Sequence, residues 1–279
     1  MNYRHIFHAG NFADVFKHTI LTSLILALQR KDKACCYFDT HAGIGFYDLS
    51  LPVARRSGEY KEGIARIFDS KTAPPIVTAY LSAIKDMNKE SNGLHYYPGS
   101  PVITHKLLRP QDRMVLSELH PDDHLLLNNT FYRDNQVAVH QLDGYQLLKA
   151  FLPPKERRGL VLIDPPFEDK AEFKNIVAAL RMSLKLWETG VYAIWYPIKD
   201  RLAVRNFLRQ LQRSVTTKIL LAELLIMPEN APLQLKGCGM VIINPPWQLE
   251  QQLQPEVQWL WQHLAPTKEG RWQVEWLRA

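Results

Sequence analysis

The chain has 279 residues, 46% of them hydrophobic, and carries 34 Lys and Arg against 28 Asp and Glu for a net charge of +6. At about 150 residues per domain this predicts one large domain or two modest ones with a sizeable core, and excludes a disordered tail or a stapled miniprotein. Three cysteines, Cys35, Cys36 and Cys238, cannot all pair, no run of about 18 apolar residues occurs, and Met1-Asn2-Tyr3-Arg4-His5 is not built like a signal peptide, so reduced thiols and a cytoplasmic protein are expected.

Short apolar runs ending in polar or turn residues alternate with longer segments of helical spacing. A helix is predicted over Asp14 to Gln29, then a strand over Ala34 to Phe38. Further strands follow at Met114 to Ser117, Val137 to Gln141, Leu160 to Ile163, Val191 to Tyr196, Lys218 to Leu224 and Gly239 to Ile243. Between them the spacing predicts helices over Asp122 to Phe131, Lys170 to Trp187 and Lys199 to Gln212, long enough for crossovers over a parallel sheet. The expected architecture is a three-layer α/β/α sandwich around a mostly parallel seven-stranded sheet. Between the first and second strands, Phe46 to Tyr97 exceeds what one crossover needs and reads as an inserted helical subdomain within a single domain. Pro74-Pro75 and Ser91-Asn92-Gly93 mark turns inside it.

The first strand runs into Asp39-Thr40-His41-Ala42-Gly43-Ile44-Gly45, a turn where a nucleotide-like ligand lies against bare backbone in an open α/β sheet. With two glycines it is equally a plain strand-to-helix turn, and no G-x-x-x-x-G-K-[ST] sequence exists to cradle phosphates. A ribose needs a carboxylate at the end of the next strand. Glu59 has the usual spacing of about 20 residues but sits in a sequence that is no strand, whereas Glu118 follows Met114 to Ser117 and is preferred. Asp143-Gly144, after the third strand, suits an adenine amine or is an ordinary turn.

Asp164-Pro165-Pro166-Phe167 follows the apolar run 159–163. Two prolines remove two N–H donors, so the turn offers acceptors only: the Asp164 carboxylate and the Pro165 carbonyl, beside the Phe167 ring. Such a set receives a planar amine extruded from a base stack. Asn244-Pro245-Pro246-Trp247 repeats the pattern after the seventh strand. The first copy is preferred, because the fourth strand of a switched sheet neighbours the first; the second then reads as a rigid turn.

His5, His8, His18 and His41 invite a metal, but no paired Cys or carboxylate at i, i+4 accompanies them, and no metal is expected. Cys35 and Cys36 read as core. Lys199-Arg201-Arg205-Arg209-Arg213 forms a basic stripe on one helix, equally a solvated face or an RNA groove. Arg55-Arg56 and Lys155 with Arg157-Arg158 read mainly as solvated. Trp259, Trp261, Trp272 and Trp276 read as core and edge packing.

Together these motifs resemble the Rossmann-like class I S-adenosylmethionine-dependent methyltransferases that act on amines, whose loop is [DN]PP[FYW]. The blocks Tyr3 to Asn11, Ala13-Asp14-Val15, Lys17-His18, Asp39 to Gly43, Gly58-Glu59-Tyr60, Tyr96 to Pro101, Glu118 to Pro121 and Asp164-Pro165-Pro166 resemble the RlmJ family over nearly the whole chain. The resemblance implies methylation of N6 of a single adenine of 23S rRNA, adenine 2030 in the usual rRNA numbering. S-adenosyl-L-methionine is the implied donor and S-adenosyl-L-homocysteine the product. It places cofactor contacts on His18, His41, Ser100, Glu118, Asp143, Gly144 and Asp164, catalysis on Asp164, and RNA contact on Tyr3. His41 departs from the glycine or aromatic of many relatives, and Phe167 from a common tyrosine. No membrane and no obligate protein partner are implied. The rival readings are a DNA adenine or protein glutamine methyltransferase, or a non-catalytic RNA-binding module. The surplus positive charge is expected around the cleft of Asp164, and added salt is expected to weaken RNA binding rather than cofactor binding.

Overall fold

The computed structural model describes residues 4–232 and 235–279. After a short 3-10 turn, His5–Phe7, helix α1 (Phe12–Gln29) starts two residues before the predicted Asp14. The Asn11 side chain sets that start by accepting from Ala13 N (3.0 Å) and Asp14 N (2.9 Å). Every residue from Phe12 to Ile25 is buried, the polar Asp14, Lys17, His18, Thr19 and Thr22 included, so the helix lies inside the fold. Strand β1 (Cys36–Asp39) follows, buried on both faces. β2 (Phe46–Asp48) and β3 (Tyr96–Pro98) pair antiparallel, so the two ends of the long crossover form a ribbon, a feature the helical reading of that segment lacked. Between them lie α2 (Pro52–Ser57), α3 (Ile64–Ile67) and α4 (Pro75–Met87).

The chain then forms α5 (Ser100–Leu107), β4 (Arg113–Ser117), α6 (Pro121–Thr130), β5 (Val137–His140), α7 (Gly144–Phe151), β6 (Gly159–Ile163), α8 (Glu172–Leu186) and β7 (Val191–Ile198). It ends with α9 (Arg201–Ser214), β8 (Ile219–Leu225), β9 (Gly237–Ile243), α10 (Leu249–Leu264) and β10 (Arg271–Arg278). One sheet runs β10-β8-β9-β7-β6-β1-β4-β5. β5, β4, β1, β6 and β7 are parallel, while β9 is antiparallel to both β7 and β8. The sheet has eight strands rather than seven. The extra one, β10, pairs antiparallel with β8 at the edge, carrying Trp272 and Trp276.

Helices α1, α5, α6 and α10 cover one face and α7, α8 and α9 the other, giving the three-layer α/β/α class. The crossover segment is fastened to the first of these layers. The Glu256 carboxylate of α10 accepts from Ile76 N (3.1 Å) and Val77 N (3.0 Å) in the first turn of α4, where a negative charge meets the positive helix end. Ile64 N donates to Gly10 O (2.8 Å), joining α3 to the start of α1. No helix among the described residues is long and apolar enough to cross a membrane.

The antiparallel course of β9 decides the duplicated motif. Ile243 pairs with Tyr192 and Ile219, near the starts of β7 and β8, so Asn244 lies at the edge opposite the carboxyl ends of the parallel strands. Its side-chain amide donates to Glu188 O (2.7 Å) and Gly190 O (2.8 Å), and its φ of 53° is one that asparagine tolerates. It ties a turn together, far from Asp164.

Candidate active site

β1 is flanked by β4 on one side and β6 on the other, so the strand order reverses there and a crevice opens beyond the carboxyl ends. A cavity of about 1400 Å³ occupies that crevice. Its lining includes His18, His41, Ser100, Glu118, Asp143, Gly144, Asp164, Pro165 and Phe167, residues separated by up to 149 positions in the chain. Tyr3 lies outside the described residues.

The turn after β1 is held by its neighbours. Thr40 N donates to Leu162 O of β6 (3.1 Å) and Ala42 N to Ser117 O of β4 (2.9 Å). Glu118 accepts from Gly43 N (2.9 Å) through one oxygen and from His120 N (2.8 Å) through the other. Burial raises its pKa against these two bonds. Gly43 has φ of 63°, and a Cβ there would come within 2.6 Å of the Tyr47 hydroxyl. Gly144 opens α7 directly over this turn, where a Cβ would meet Thr40 O at 2.2 Å. The preceding Asp143 caps α7, one oxygen accepting from Tyr145 N and Gln146 N at 3.0 Å each.

The loop 164–167 leaves β6 beside β1. Asp164 is not alone there. The Lys17 ammonium of α1 donates to Asp164 Oδ2 (2.5 Å) and also lies 2.9 Å from Asp14 Oδ1. Asp14 Oδ2 in turn is 2.9 Å from His5 Nε2 and accepts from Gly10 N (3.0 Å). Lys17 and Asp14 are 6% and 3% exposed, so the centre of this chain of charges sits out of water while its ends, His5 and Asp164, face the cavity. Burial opposes the charge on Lys17, yet Asp14 and Asp164 hold its pKa well above the usual lysine value. Burial likewise would raise Asp14, but His5 and Lys17 keep it well below the usual carboxylate range. Phe167, at φ of 52°, sets its ring against the edges of Phe173 (5.1 Å, 63°) and Trp195 (5.8 Å, 68°).

Ser100 does not reach into the cavity alone. Its hydroxyl donates to Asp39 Oδ2 (2.7 Å), which also accepts from the Tyr37 hydroxyl (2.7 Å), while His41 N donates to Oδ1 (3.2 Å). Burial raises Asp39 to about 6, against those bonds and with help from Asp164. His18 Nδ1 is 2.7 Å from the Tyr97 hydroxyl, itself 2.9 Å from Tyr80. Its Nε2 is buried with no partner among the described residues, and burial with the adjacent Lys17 pulls its pKa far down. Glu59, the alternative to Glu118, also lines the cavity but lies 2.9 Å from His8 Nδ1 and accepts from Asn11 Nδ2 (2.9 Å).

Lys17, Asp14 and Asp39 were not named as site residues from sequence. The usable signal was there: Asp14 is the one carboxylate and Lys17 the one Lys or Arg of this 18-residue helix, three positions apart. A second correction concerns charge. Asp14, Asp48, Glu59, Glu62, Glu118, Asp123, Asp143, Asp164, Glu168, Asp169 and Glu172 line the cavity against Arg4, Lys17 and Lys199 among the described residues. The surplus positive charge is therefore elsewhere, because this crevice is built of hydrogen-bond acceptors.

His41 gives a pH prediction. Burial pulls its pKa down to about 4, opposed by Asp164 and Asp143. Unfolded, it titrates at about 6.5, so protons favour the unfolded chain: its stabilising contribution is complete above that value and is lost as pH falls toward 4. Asp39 acts in the opposite sense, since protonating it below about 6 relieves a folded-state penalty. The two nearly cancel in the wild type. Urea unfolding of His41→Gln is therefore expected to lose about 2–3 kcal/mol less than the wild type between pH 7 and pH 4.5. Equal losses would show that His41 is not held neutral.

A family model described as "Ribosomal RNA large subunit methyltransferase D, RlmJ" matches residues 32–278. The chain is 45% identical over 277 residues to "Ribosomal RNA large subunit methyltransferase J" of Escherichia coli, covering 99% of both chains. It is 44% identical over 277 residues to the protein of that name from Haemophilus influenzae, again covering 99% of each. The crystal structure of protein LPL1258 from Legionella pneumophila superposes with a TM-score of 0.89 at 38% identity, covering 96% of this chain and 98% of that one. With a family model spanning most of the sequence and full-length relatives at this identity, the chain belongs to the RlmJ family of ribosomal RNA large subunit methyltransferases.

Proposed function

We propose that the chain transfers a methyl group from S-adenosyl-L-methionine to N6 of one adenine of 23S rRNA. The observation that carries this reading is the acceptor-only loop Asp164-Pro165-Pro166-Phe167 at the carboxyl end of β6, pinned by Lys17 and opening into the crevice beside β1. The lining fits the donor. Glu118 presents a carboxylate at the end of β4 for ribose hydroxyls, Asp143 keeps one oxygen for an adenine amine, and His18 Nε2, buried with no partner among the described residues, offers a further polar atom. When bound, S-adenosyl-L-methionine supplies an electrophilic methyl on a positively charged sulfur, which also suits a cavity rich in carboxylates.

The chain's own residues then act on the second substrate. The free Asp164 oxygen and the Pro165 carbonyl accept the two hydrogens of the exocyclic amine, turning the nitrogen lone pair toward the donor. Lys17 fixes the other Asp164 oxygen, so the carboxylate has no rotational freedom to lose. Asp164 takes the proton that the amine sheds. Phe167, propped by Phe173 and Trp195, provides a flat wall for the flipped base.

Incubating the protein with tritiated S-adenosyl-L-methionine and, separately, rRNA, DNA and ribosomal protein tests the reading. Label in rRNA alone supports it; label in DNA or protein alone points to the adenine-DNA or glutamine alternatives. Absence of calorimetric heat with the donor points to a non-catalytic module. In the same assay Asn244→Ala is expected to leave the methylation rate unchanged and to cost about 1–2 kcal/mol of stability, because its turn-tying bonds are lost and alanine tolerates the φ of 53° less well. A rate fallen with intact folding would return the second loop to contention.

A further inference from the structure

An acidic crevice cannot hold a polyanion by itself, so a chain that acts on RNA must neutralise phosphates elsewhere. The segments 170–188 and 199–214 carry nine Lys and Arg against three Asp and Glu, a surplus equal to the +6 of the entire chain. The rest of the protein is balanced. These segments contain α8 and α9, which pack side by side on one face of the sheet.

Burial sorts their residues. Ile176, Val177, Leu180, Val204, Phe207, Leu208 and Leu211 point inward. Lys174, Arg181 and Lys185 of α8 and Arg205, Arg209 and Arg213 of α9 are exposed, and none of the six forms an ion pair or side-chain hydrogen bond among the described residues. The acids of these segments are otherwise engaged or at the ends. Glu172 is buried and accepts from the Tyr145 hydroxyl (2.6 Å), and Asp200 caps α9 through Leu202 N (2.8 Å). Arg201, by contrast, is neutralised by Glu223 at 2.7 Å and belongs to the fold.

The four-residue spacing of Arg205, Arg209 and Arg213 sets three guanidinium groups along about 12 Å of one helix face. The face is continuous with the crevice at one end: Lys199, just before α9, lines the cavity, and α8 follows the loop that carries Asp164. Unpaired cations in a row, with little exposed apolar surface beyond Leu186 and Leu202, match a sugar-phosphate backbone by charge and offer no base-reading pocket.

We propose that the α8–α9 face binds the phosphate backbone of the RNA flanking the target adenine, so that anchoring and chemistry occupy different surfaces. The proposal rests on the rRNA reading above. It is tested with Arg205→Ala/Arg209→Ala/Arg213→Ala in the full chain, measuring methylation of naked 23S rRNA against salt. Removing three phosphate contacts is expected to raise the KM for RNA at least ~10-fold near physiological salt, with kcat, donor affinity and Tm unchanged. The slope of log affinity against log salt is expected to fall by about 2–3. Unchanged KM and slope would overturn the proposal, as would a defect seen only on protein-containing ribosomal particles, which would assign the face to an acidic protein. A wild-type protein that methylates no rRNA would instead overturn the functional reading, so the two failures are distinguishable.

Discussion

Asp164→Ala is expected to lower methyl transfer by at least ~10³-fold in a protein that still folds, because under the proposed function it removes the general base together with the group that aligns the amine. The side chain is a terminal member of the Lys17 network rather than its centre. Lys17 retains Asp14 at 2.9 Å when Asp164 is truncated, so the stability cost is set by one charge-assisted hydrogen bond, about 1.5–3 kcal/mol. Single-turnover kinetics and a thermal melt on the same preparation separate the two effects. Asp164→Asn keeps the shape and one acceptor oxygen but cannot take a proton, so it is expected to retain more activity than Ala and much less than the wild type. A fully active Asp164→Ala protein would remove the loop from the chemistry.

The second large effect is expected at Lys17. Its substitution by Met leaves Asp14, which water barely reaches, facing Asp164, with His5 and the Gly10 N–H as the remaining partners of the Asp14 carboxylate among the described residues. Breaking a buried pair by removing one partner costs about 3–5 kcal/mol. Catalysis is expected to fall as well, by ~10²-fold, since an Asp164 free to rotate no longer meets the amine at the right distance. Arginine is not expected to rescue it, because a planar guanidinium does not fit the point-like position between two carboxylates. Donor affinity is the discriminating readout. If Lys17 acts through Asp164, kcat falls while the dissociation constant for S-adenosyl-L-methionine holds within a few-fold; a large change in that constant would make Lys17 a donor-binding residue instead.

Much of the fold was legible because the central parallel strands are buried on both faces and read as bare apolar runs, as Gly159–Ile163 does. β10 was not, since Arg271–Arg278 alternates charged residues with tryptophans at a half-exposed edge and looks like surface. α10 was masked by Pro255 inside the helix, which reads as a breaker until Glu256 is seen bound to the first turn of α4. The turn residues of the site were visible as motifs. The Lys17–Asp164 pair was not, because its members are 147 positions apart and only the packing of α1 beneath β6 brings them together. The role of Asn244 depended on strand direction, which its own sequence does not encode. Net charge was the weakest guide: +6 is correct for the chain and wrong for the crevice.

The most direct measurement is nucleoside mass spectrometry with site mapping on 23S rRNA from cells lacking this activity, after incubation with the purified protein and isotopically labelled S-adenosyl-L-methionine. One labelled N6-methyladenosine at a single adenine, absent with Asp164→Ala, is the expected result. Label on another base, on another nitrogen of adenine, or equally present with Asp164→Ala would contradict it.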